Sequence, residues 1–377
     1  LVFNSNLTEQ HNVVGIPVKR AVKNGARLIV IDSREVELTR YSSSWLRPIP
    51  GTELLLLGGI LKSIVDQGLE DSDWIQEFCE EPDTLRYALE SLDLDEISKA
   101  TQISVTCINE AANCFGSAER SAIVYSLDNV AQTIQRDCVE SLVDMALLTG
   151  NVGKSGAGLY PLRPGMNEQG AWDVGCTPTR LPGRRLLTDD QGKRDIEEYW
   201  GCPLPQERGM GVIELLEAVQ NGDLKSMFII GDMPHLDPIS LSVLSKLDFL
   251  VVEDVFLTGL AEMANVVLPR QTFTEKVGTF TNLERRIQKH DPNIGSDDAV
   301  GKSEAWILAQ LSKRMCVTGF DQLSESDVME ELAVVVPDYR GISYKRLEEV
   351  RTVVDKSLPI PLLTGTSVGN IASMEMP

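Results

Sequence analysis

The chain has 377 residues, of which 42% are hydrophobic, and at about 150 residues per domain this length predicts two or three domains. Its net charge of −21 comes from 56 acidic and 35 basic residues. A nucleic-acid backbone would be repelled by this charge, so the composition argues against nucleic acid as a partner. An anionic small cofactor is compatible with it, because backbone amides and a few arginines bind phosphate locally.

The seven cysteines are odd in number and include no C-x-x-C pair. This argues against a disulfide framework, a zinc site and a cluster-binding loop, and it favours reduced thiols in a cytoplasmic protein. No apolar run approaches the ~18 residues of a membrane span, and no signal peptide opens the chain. Residues 1–3 are apolar, which is typical of the end of a strand, so we expect further sequence before them.

Strands and helices alternate over the first 160 residues. Residues 12–24 carry apolar positions at helical spacing, and a turn at Asn24-Gly25 separates this helix from the apolar strand 27–31. Further predicted elements are a helix over 53–67, a strand over 122–125 and a helix over about 135–149. This succession predicts a parallel α/β sheet.

The segment 151–209 is rich in Gly, Pro and Arg, and its lack of periodicity predicts a long loop that is ordered rather than disordered. A second α/β unit follows it. Its predicted elements are a helix over 212–219, a strand over 227–230, a helix near 239–246 and strands over 249–252 and 266–268. The predicted fold class is α/β, with two Rossmann-like parallel-sheet domains packed around the long ordered loop.

Acidic residues follow three of the predicted strands, at Asp32, Asp232 and Asp254. Open α/β sheets bind ligands at the carboxyl ends of their strands, where a carboxylate can accept two hydrogen bonds from a ribose or a guanine edge. Arg34 would then reach a phosphate. Each acid alone is equally well explained as a cap of the following turn.

The segment 161–170 combines Arg163, Gly165 and Asn167 with further glycine and amide residues. This mixture suits close backbone approach to a ligand and directional hydrogen bonds, although a solvated loop is the alternative.

Two other kinds of site are rejected. Residues 150–155 lack the first glycine of a phosphate-binding loop, because Leu148 stands at its position, and a helix precedes them instead of a strand. The three histidines have no partners at metal-binding or triad spacing.

Several segments together resemble molybdopterin oxidoreductases of the dimethyl-sulfoxide-reductase type, and among them the catalytic (alpha) subunit of formate dehydrogenases. Residues 6–11 resemble the family's Asn-x-x-Glu-x-His segment, residues 28–34 its strand ending in Asp-Pro-Arg, and residues 50–53 its Pro-Gly-Thr-Asp turn. The block 146–175 is the most specific, and it resembles formate dehydrogenases more than nitrate or sulfoxide reductases.

The second half continues the resemblance. Residues 231–234 resemble a Gly-Glu-Asn-Pro turn, residues 253–258 a Gln-Asp-x-Phe-x-Thr block, and residues 275–286 a Glu-x-Gly-Thr-Phe-Thr-Asn-x-Glu-Arg-Arg segment. The chain also departs from the family pattern, since Asn4 replaces a glycine and Met233 an asparagine.

The resemblance implies a bis(molybdopterin guanine dinucleotide) cofactor with molybdenum or tungsten. It implies that Arg163 is catalytic and orients the carboxylate of formate, a planar anion that suits a planar cationic fork. The implied cofactor-binding residues are Asn6, Glu9, Asp32, Arg34, Gly51, Glu53, Gln132, Gly165, Asn167, Gly231, Asp232, Met233, Asp254 and Thr258. No metal ligand is assigned within the chain.

The expected domains are two guanine-dinucleotide-binding α/β domains, 1–160 and 161–315 with its loop 161–209, and a helical extension over 316–377. The chain has no cluster-binding cysteine motif and no cysteine or selenocysteine before a histidine. We therefore expect a [4Fe-4S] cluster and the metal's protein ligand in a preceding part, and a cap domain after residue 377.

The predicted function is that of the central, cofactor-binding part of an oxidoreductase that oxidises formate to carbon dioxide when intact and is inactive as this chain alone. Its expected partner is an iron-sulfur or NAD-linked electron-acceptor subunit. One alternative is an electron-transfer component like the large iron-sulfur subunit of NADH dehydrogenase, without molybdenum, but Arg163 and the block 167–175 argue against it. Another alternative is a nucleotide-binding module without catalysis.

Overall fold

In the computed structural model, the described residues are 1–79, 82–127, 129–163, 165–231, 237–292, 301–317, 319–320 and 324–353. They form two compact units, one over residues 1–163 and the other from residue 165 onward. Among these residues, no helix is both long and apolar enough to cross a membrane.

The first unit contains a five-stranded sheet. Its strands are β1 (Val2–Phe3), β2 (Ile29–Ile31), β3 (Ser44–Leu46), β4 (Ala122–Tyr125) and β5 (Gly158–Pro161). All neighbours are parallel, in the order β3-β2-β1-β4-β5. In this doubly wound order the direction of winding reverses between β1 and β4, which is where open α/β sheets bind ligands.

Helices cover both faces of this sheet. They are α1 (Leu7–Gln10), α2 (Asn12–Lys23), α3 (Glu53–Asp66), α4 (Ser72–Phe78), α5 (Pro82–Glu90), α6 (Leu94–Thr101), α7 (Val105–Gly116) and α8 (Gln135–Leu148), with 3₁₀ turns at Glu37–Tyr41 and Gln132–Ile134. Because side chains alternate along a strand, Ile29 and Ile31 join a core with α3, whereas Leu28 and Val30 join a core on the opposite face. The strands are short apolar runs because both faces are buried.

The second unit contains a three-stranded parallel sheet in the order β10-β9-β8 and two hairpins. Its strands are β6 (Arg180–Leu181), β7 (Arg185–Leu186), β8 (Ser226–Ile230), β9 (Phe249–Asp254), β10 (Val266–Pro269), β11 (Gly278–Thr281) and β12 (Ile287–His290). Its helices are α9 (Glu168–Asp173), α10 (Asp190–Trp200), α11 (Val212–Asn221), α12 (Pro238–Leu244), α13 (Gly259–Glu262), α14 (Glu304–Arg314), α15 (Glu325–Val335) and α16 (Tyr344–Val353), with a 3₁₀ turn at Pro337–Tyr339. The predicted α/β class with two parallel sheets is confirmed.

The prediction of a long loop over residues 151–209 is wrong in detail. This segment contains β5, α9, the β6–β7 hairpin and the eleven-residue helix α10. The side chain of Asp189 caps α10 by accepting a hydrogen bond from the backbone N–H of Gly192 at 3.0 Å, and Gly201 ends it at a φ of +66°. Because Ile196 is the only buried apolar residue of this helix, its apolar face is too narrow to show as a periodic pattern.

Candidate functional site

The carboxyl edge of the first sheet brings together loops that are distant in sequence. The last residues of its strands stand in one register row, in the order Leu46, Ile31, Phe3, Tyr125 and Pro161. The predicted residues leave from this row, namely Gly51 and Glu53 after β3, Asp32 and Arg34 after β2, Asn6 and Glu9 after β1, Gln132 after β4 and Arg163 after β5. One edge of one unit therefore carries every residue predicted for the first guanosine pocket and the predicted catalytic arginine.

Asp32 lies fully buried at this edge and binds Arg34. Its carboxylate accepts hydrogen bonds from Nε and Nη2 of Arg34, both at 3.1 Å, and from the backbone N–H of Arg34 at 2.9 Å. With the amide of Asn129 oriented to match its neighbours, its oxygen accepts from Nη2 and Nη1 of Arg34 at 2.8 and 3.0 Å. The hydrogen bond from the backbone N–H of Arg34 is the turn cap that the sequence analysis gave as the alternative. The same carboxylate also fixes the guanidinium of Arg34, whose side chain is 43% exposed.

The end of β1 lies at the point where the winding of the sheet reverses. Asn4 there has a φ of +47° and is 1% exposed. Asparagine tolerates this left-handed conformation better than most residues, which explains how it can stand where the family has glycine. Neither polar atom of the Asn4 side chain, nor Oγ of the buried Ser5, has a hydrogen-bond partner among the described residues. Such groups cost free energy until a ligand or water satisfies them.

The other residues predicted for the first pocket differ in exposure. Gly51 is exposed with a φ of +91°, and its backbone N–H donates to the buried carboxylate of Glu53 at 2.8 Å. Asn6 is partly buried and accepts a hydrogen bond from Oγ1 of Thr8 at 3.3 Å. Glu9 and Gln132 are exposed. Glu53 therefore stabilises the turn after β3, whereas Glu9 and Gln132 are open to solvent.

Arg163 lies beside β4 at the same edge. The preceding residue, Leu162, donates its backbone N–H to the carbonyl of Tyr125 at 2.8 Å, which continues the pairing of β5 with β4. Arg163 is partly buried. Burial raises the pKa of the Tyr125 phenol, and the positive charge of Arg163 lowers it in part. The arginine therefore acts electrostatically on the same strand end as the first pocket.

The carboxyl edge of the second sheet holds a second group of polar residues. Gly231 follows β8 with a φ of +94°, and its N–H donates to the carbonyl of Glu253 at 2.8 Å. Oδ1 of Asp254 accepts from the N–H of Val255 at 2.6 Å, whereas its Oδ2 has no partner among the described residues. The hydroxyl of Thr258 caps α13 by accepting from the N–H of Ala261 at 3.3 Å.

Glu253 is a buried acid at this second edge. It has no exposed surface, and neither carboxylate oxygen has a hydrogen-bond partner within the described ranges. Burial raises its pKa, Glu304 raises it further, and Arg270 and Lys276 lower it. A buried carboxylate without hydrogen bonds costs free energy, which the charges of Arg270 and Lys276 offset in part.

The remaining predicted residues are Gly165, Asn167, Asp232 and Met233. Asp232 and Met233 lie outside the described residues. Gly165 is exposed with a φ of +86°. Oδ1 of Asn167 accepts the backbone N–H of Thr281 at 2.8 Å, so this side chain anchors β11.

Sequence reasoning missed several polar residues at the two edges, namely Ser5, Asn129 and Arg270. Arg270 follows directly after the strand-ending Pro269, and a charged residue in that place is a signal of the same kind as Asp32. No such signal marks Asn129 in the sequence, because it does not follow directly after a strand and only the fold brings it to Arg34. Among the described residues, no three His, Cys, Asp or Glu side chains form a group that could hold a metal ion.

Comparison with known proteins agrees with this fold. The family model of molybdopterin oxidoreductases matches residues 1–314. The F420-dependent formate dehydrogenase subunit alpha of Methanocaldococcus jannaschii is 35% identical over 92% of this chain and 52% of its own length. The F420-dependent formate dehydrogenase 1 subunit alpha of Methanococcus maripaludis is 32% identical over 99% of this chain and 57% of its own length.

A solved structure, acetylene hydratase from Pelobacter acetylenicus, has the same fold with a TM-score of 0.69 at 18% identity, covering 92% of this chain and 51% of that chain. The chain belongs to the molybdopterin oxidoreductase family and is related to formate dehydrogenase alpha subunits. It spans little more than half the length of the two relatives named above.

Family membership supports a molybdopterin cofactor, and the residues present fit such a group. Each parallel sheet has a carboxyl edge with buried polar atoms that lack hydrogen-bond partners in the described part of the chain, at Asn4 and Ser5 in the first unit and at Glu253, Asp254 and Arg270 in the second. Arginines lie at both edges of an otherwise acidic chain, which suits the phosphates of an anionic cofactor.

Proposed function

We propose that the chain binds the two guanosine arms of a bis(molybdopterin guanine dinucleotide), one in each unit, and that the protein of which it forms a part oxidises formate. The observation that carries the proposal is the first carboxyl edge, where Asp32 and Arg34 follow β2, Asn4 with its unsatisfied side chain follows β1, and Arg163 follows β5. Guanosine recognition needs carboxylate and amide groups, and formate needs a cation. This edge supplies both within one unit.

In the first arm, the fixed guanidinium of Arg34 would bind phosphate while Asp32 keeps it in place. The buried amide of Asn4 offers one donor and one acceptor group to the nucleotide at the reversal point of the sheet. In the second arm, Asp254 and Thr258 stand at the end of β9 and just after it. The open oxygen of Asp254 would accept hydrogen bonds from the guanine.

Arg163 would hold the carboxylate of formate by two parallel hydrogen bonds, which a lysine cannot reproduce. The bound cofactor supplies the two-electron redox chemistry with its molybdenum or tungsten centre. This chain's own residues bind and orient, and the electrons pass to an iron-sulfur or NAD-linked partner subunit.

The role of Arg163 is tested in the full-length protein with Arg163→Lys and Arg163→Gln. We expect both to lower formate oxidation about a hundredfold, because the substrate is misplaced, while the metal content of the purified protein stays unchanged. The control is Arg120→Gln, which removes an arginine whose side chain is 59% exposed, and it should retain activity. Full activity of Arg163→Gln would contradict the proposal for this residue.

Guanosine binding is tested separately on the 377-residue chain by calorimetry with GDP and guanosine. We expect two sites for each nucleotide. Failure of both to bind would contradict the two proposed pockets, whatever the result with formate.

A further inference from the structure

A basic residue that follows β10 lies at the carboxyl edge of the second sheet. The backbone of Arg270 continues the sheet, because its N–H donates to the carbonyl of Asp254 at 3.1 Å. Lys302 pairs with the backbone on either side, donating to Pro269 at 3.2 Å and accepting from Gln271 at 3.1 Å. The backbone at Arg270 is therefore fixed by hydrogen bonds to β9 on one side and to Lys302 on the other.

The guanidinium of Arg270 lies next to Gly231, at the end of β8. A Cβ atom at residue 231 would stand 3.3 Å from Nη1 of Arg270, which is tighter than ordinary van der Waals contact. The glycine thus leaves the space beside the guanidinium open at the strand end where nucleotides bind. The side chain of Arg270 is 24% exposed, so a ligand can reach it.

The described residues around Arg270 do not use all of the hydrogen-bond donors of its guanidinium. Its Nη1 donates to Glu304 at 3.3 Å, and the other oxygen of Glu304 accepts from Lys276 at 2.6 Å, so one acid is shared by two cations. Nε of Arg270 is buried and has no hydrogen-bond partner among the described residues. The carboxylate of the buried Glu253 interacts with Arg270 through charge, and neither of its oxygens has a hydrogen-bond partner among the described residues.

We propose that Arg270 binds the diphosphate of the nucleotide whose guanosine occupies the second pocket, an inference that rests on the proposed function. Its planar fork offers several donors to two phosphate oxygens, and Glu304 holds the fork in place. Lys276 has the same acidic partner and the same charge, but the three described atoms nearest to a Cβ at residue 231 all belong to Arg270. Its ion pair with Glu304 makes it the matched control.

The test is calorimetry of the 377-residue chain with GDP and with guanosine, for wild type, Arg270→Gln and Lys276→Gln. We expect Arg270→Gln to weaken one of two GDP sites about tenfold or more while both guanosine sites keep their affinity, because only the phosphate contact is lost. Lys276→Gln should leave GDP and guanosine binding unchanged. Arg270→Lys should restore part of the GDP affinity.

Four outcomes would overturn the inference in distinguishable ways. If wild type binds GDP and guanosine and Arg270→Gln keeps its GDP affinity at both sites, the role of Arg270 fails alone. Two other results would show that the arginine acts through the fold and not on phosphate. In one, both variants lose GDP affinity equally; in the other, Arg270→Gln loses as much affinity for guanosine as for GDP. If wild type binds neither nucleotide, the proposed function fails together with the inference.

Discussion

Among single residues, Glu253 carries a charge that the described part of the protein does not compensate by hydrogen bonds. Its pKa lies above the ordinary 4.5 because of burial and the nearby Glu304. Between 4.5 and the raised value, the folded chain holds a proton that the unfolded chain has released. The stability contributed at this site is therefore lost as the pH rises through that window.

We expect Glu253→Gln to raise the free energy of unfolding of the ligand-free chain by about 1 to 3 kcal/mol at pH 7 and by much less at pH 4. Glutamine is also the residue in the family block that Glu253-Asp254 resembles. Denaturant titrations at the two pH values measure the difference, and Glu198→Gln, a change at an exposed position, should alter neither. Equal gains at both pH values would contradict the argument from ionisation.

Asp32→Asn tests the fixed guanidinium of the first edge. The amide would present a donor to the donors of Arg34, so we expect the free energy of unfolding to fall by about 2 kcal/mol and GDP to bind more weakly. Asp66→Asn is the control, because Asp66 pairs with Lys62 on an exposed helix surface and should cost under about 0.5 kcal/mol. Thermal unfolding and calorimetry of both variants provide the comparison. An unchanged stability of Asp32→Asn would count against a structural role for the pair.

The position of a residue after a strand can be predicted from sequence, whereas its partner cannot. Asp32 and Asp254 can be predicted as site residues because an acidic position follows an apolar run in each case. Asn167 was predicted to bind cofactor, but it contacts Thr281, which is 114 positions away and which only the folded second unit brings near. Its cofactor role stays a prediction.

At the scale of elements, the strands and the apolar helices were predictable because both faces of the first sheet are buried. Helix α10 was missed, although Asp189 before it and Gly201 after it are the residue types that begin and end helices. In a segment with little periodicity, these capping residues were the better signal.

Gly170→Ala tests how α9 fixes the start of the second unit. A Cβ at residue 170 would lie 2.2 Å from Oδ1 of Asn167, the atom that accepts the N–H of Thr281. We expect a loss of about 1 to 3 kcal/mol in the free energy of unfolding, despite the better helix propensity of alanine. Gly259→Ala, where no described atom beyond its chain neighbours and its own helix backbone lies within 4 Å of the new Cβ, is the control and should be neutral. A neutral Gly170→Ala would mean that the Asn167 contact is dispensable.

At the scale of the whole molecule, each compact unit has its own hydrophobic cores. The two clusters of the first unit lie within residues 1–163, and the two clusters of the second lie within residues 229–347, apart from partly buried neighbours. A domain needs a core of its own to fold alone. The first unit meets this requirement.

We therefore expect residues 1–163 to unfold cooperatively as an isolated fragment. Residues 1–121 are the matched control, because they lack β4, β5 and α8 and should show no cooperative transition. Circular dichroism during heating measures both. A gradual transition of the fragment 1–163 would show that it depends on the rest of the chain.

The parallel order of the first sheet has a consequence for its synthesis. Val2 in the central strand β1 pairs with Val30 on one side but with Val124 on the other. At roughly 5 to 20 residues per second, a ribosome needs on the order of 6 to 24 seconds to make the chain between these partners. Throughout that interval, the backbone N–H and C=O groups along that side of the apolar strand β1 have no neighbouring strand to pair with. The middle of the sheet is thus the part of the nascent protein that most needs shielding from other chains.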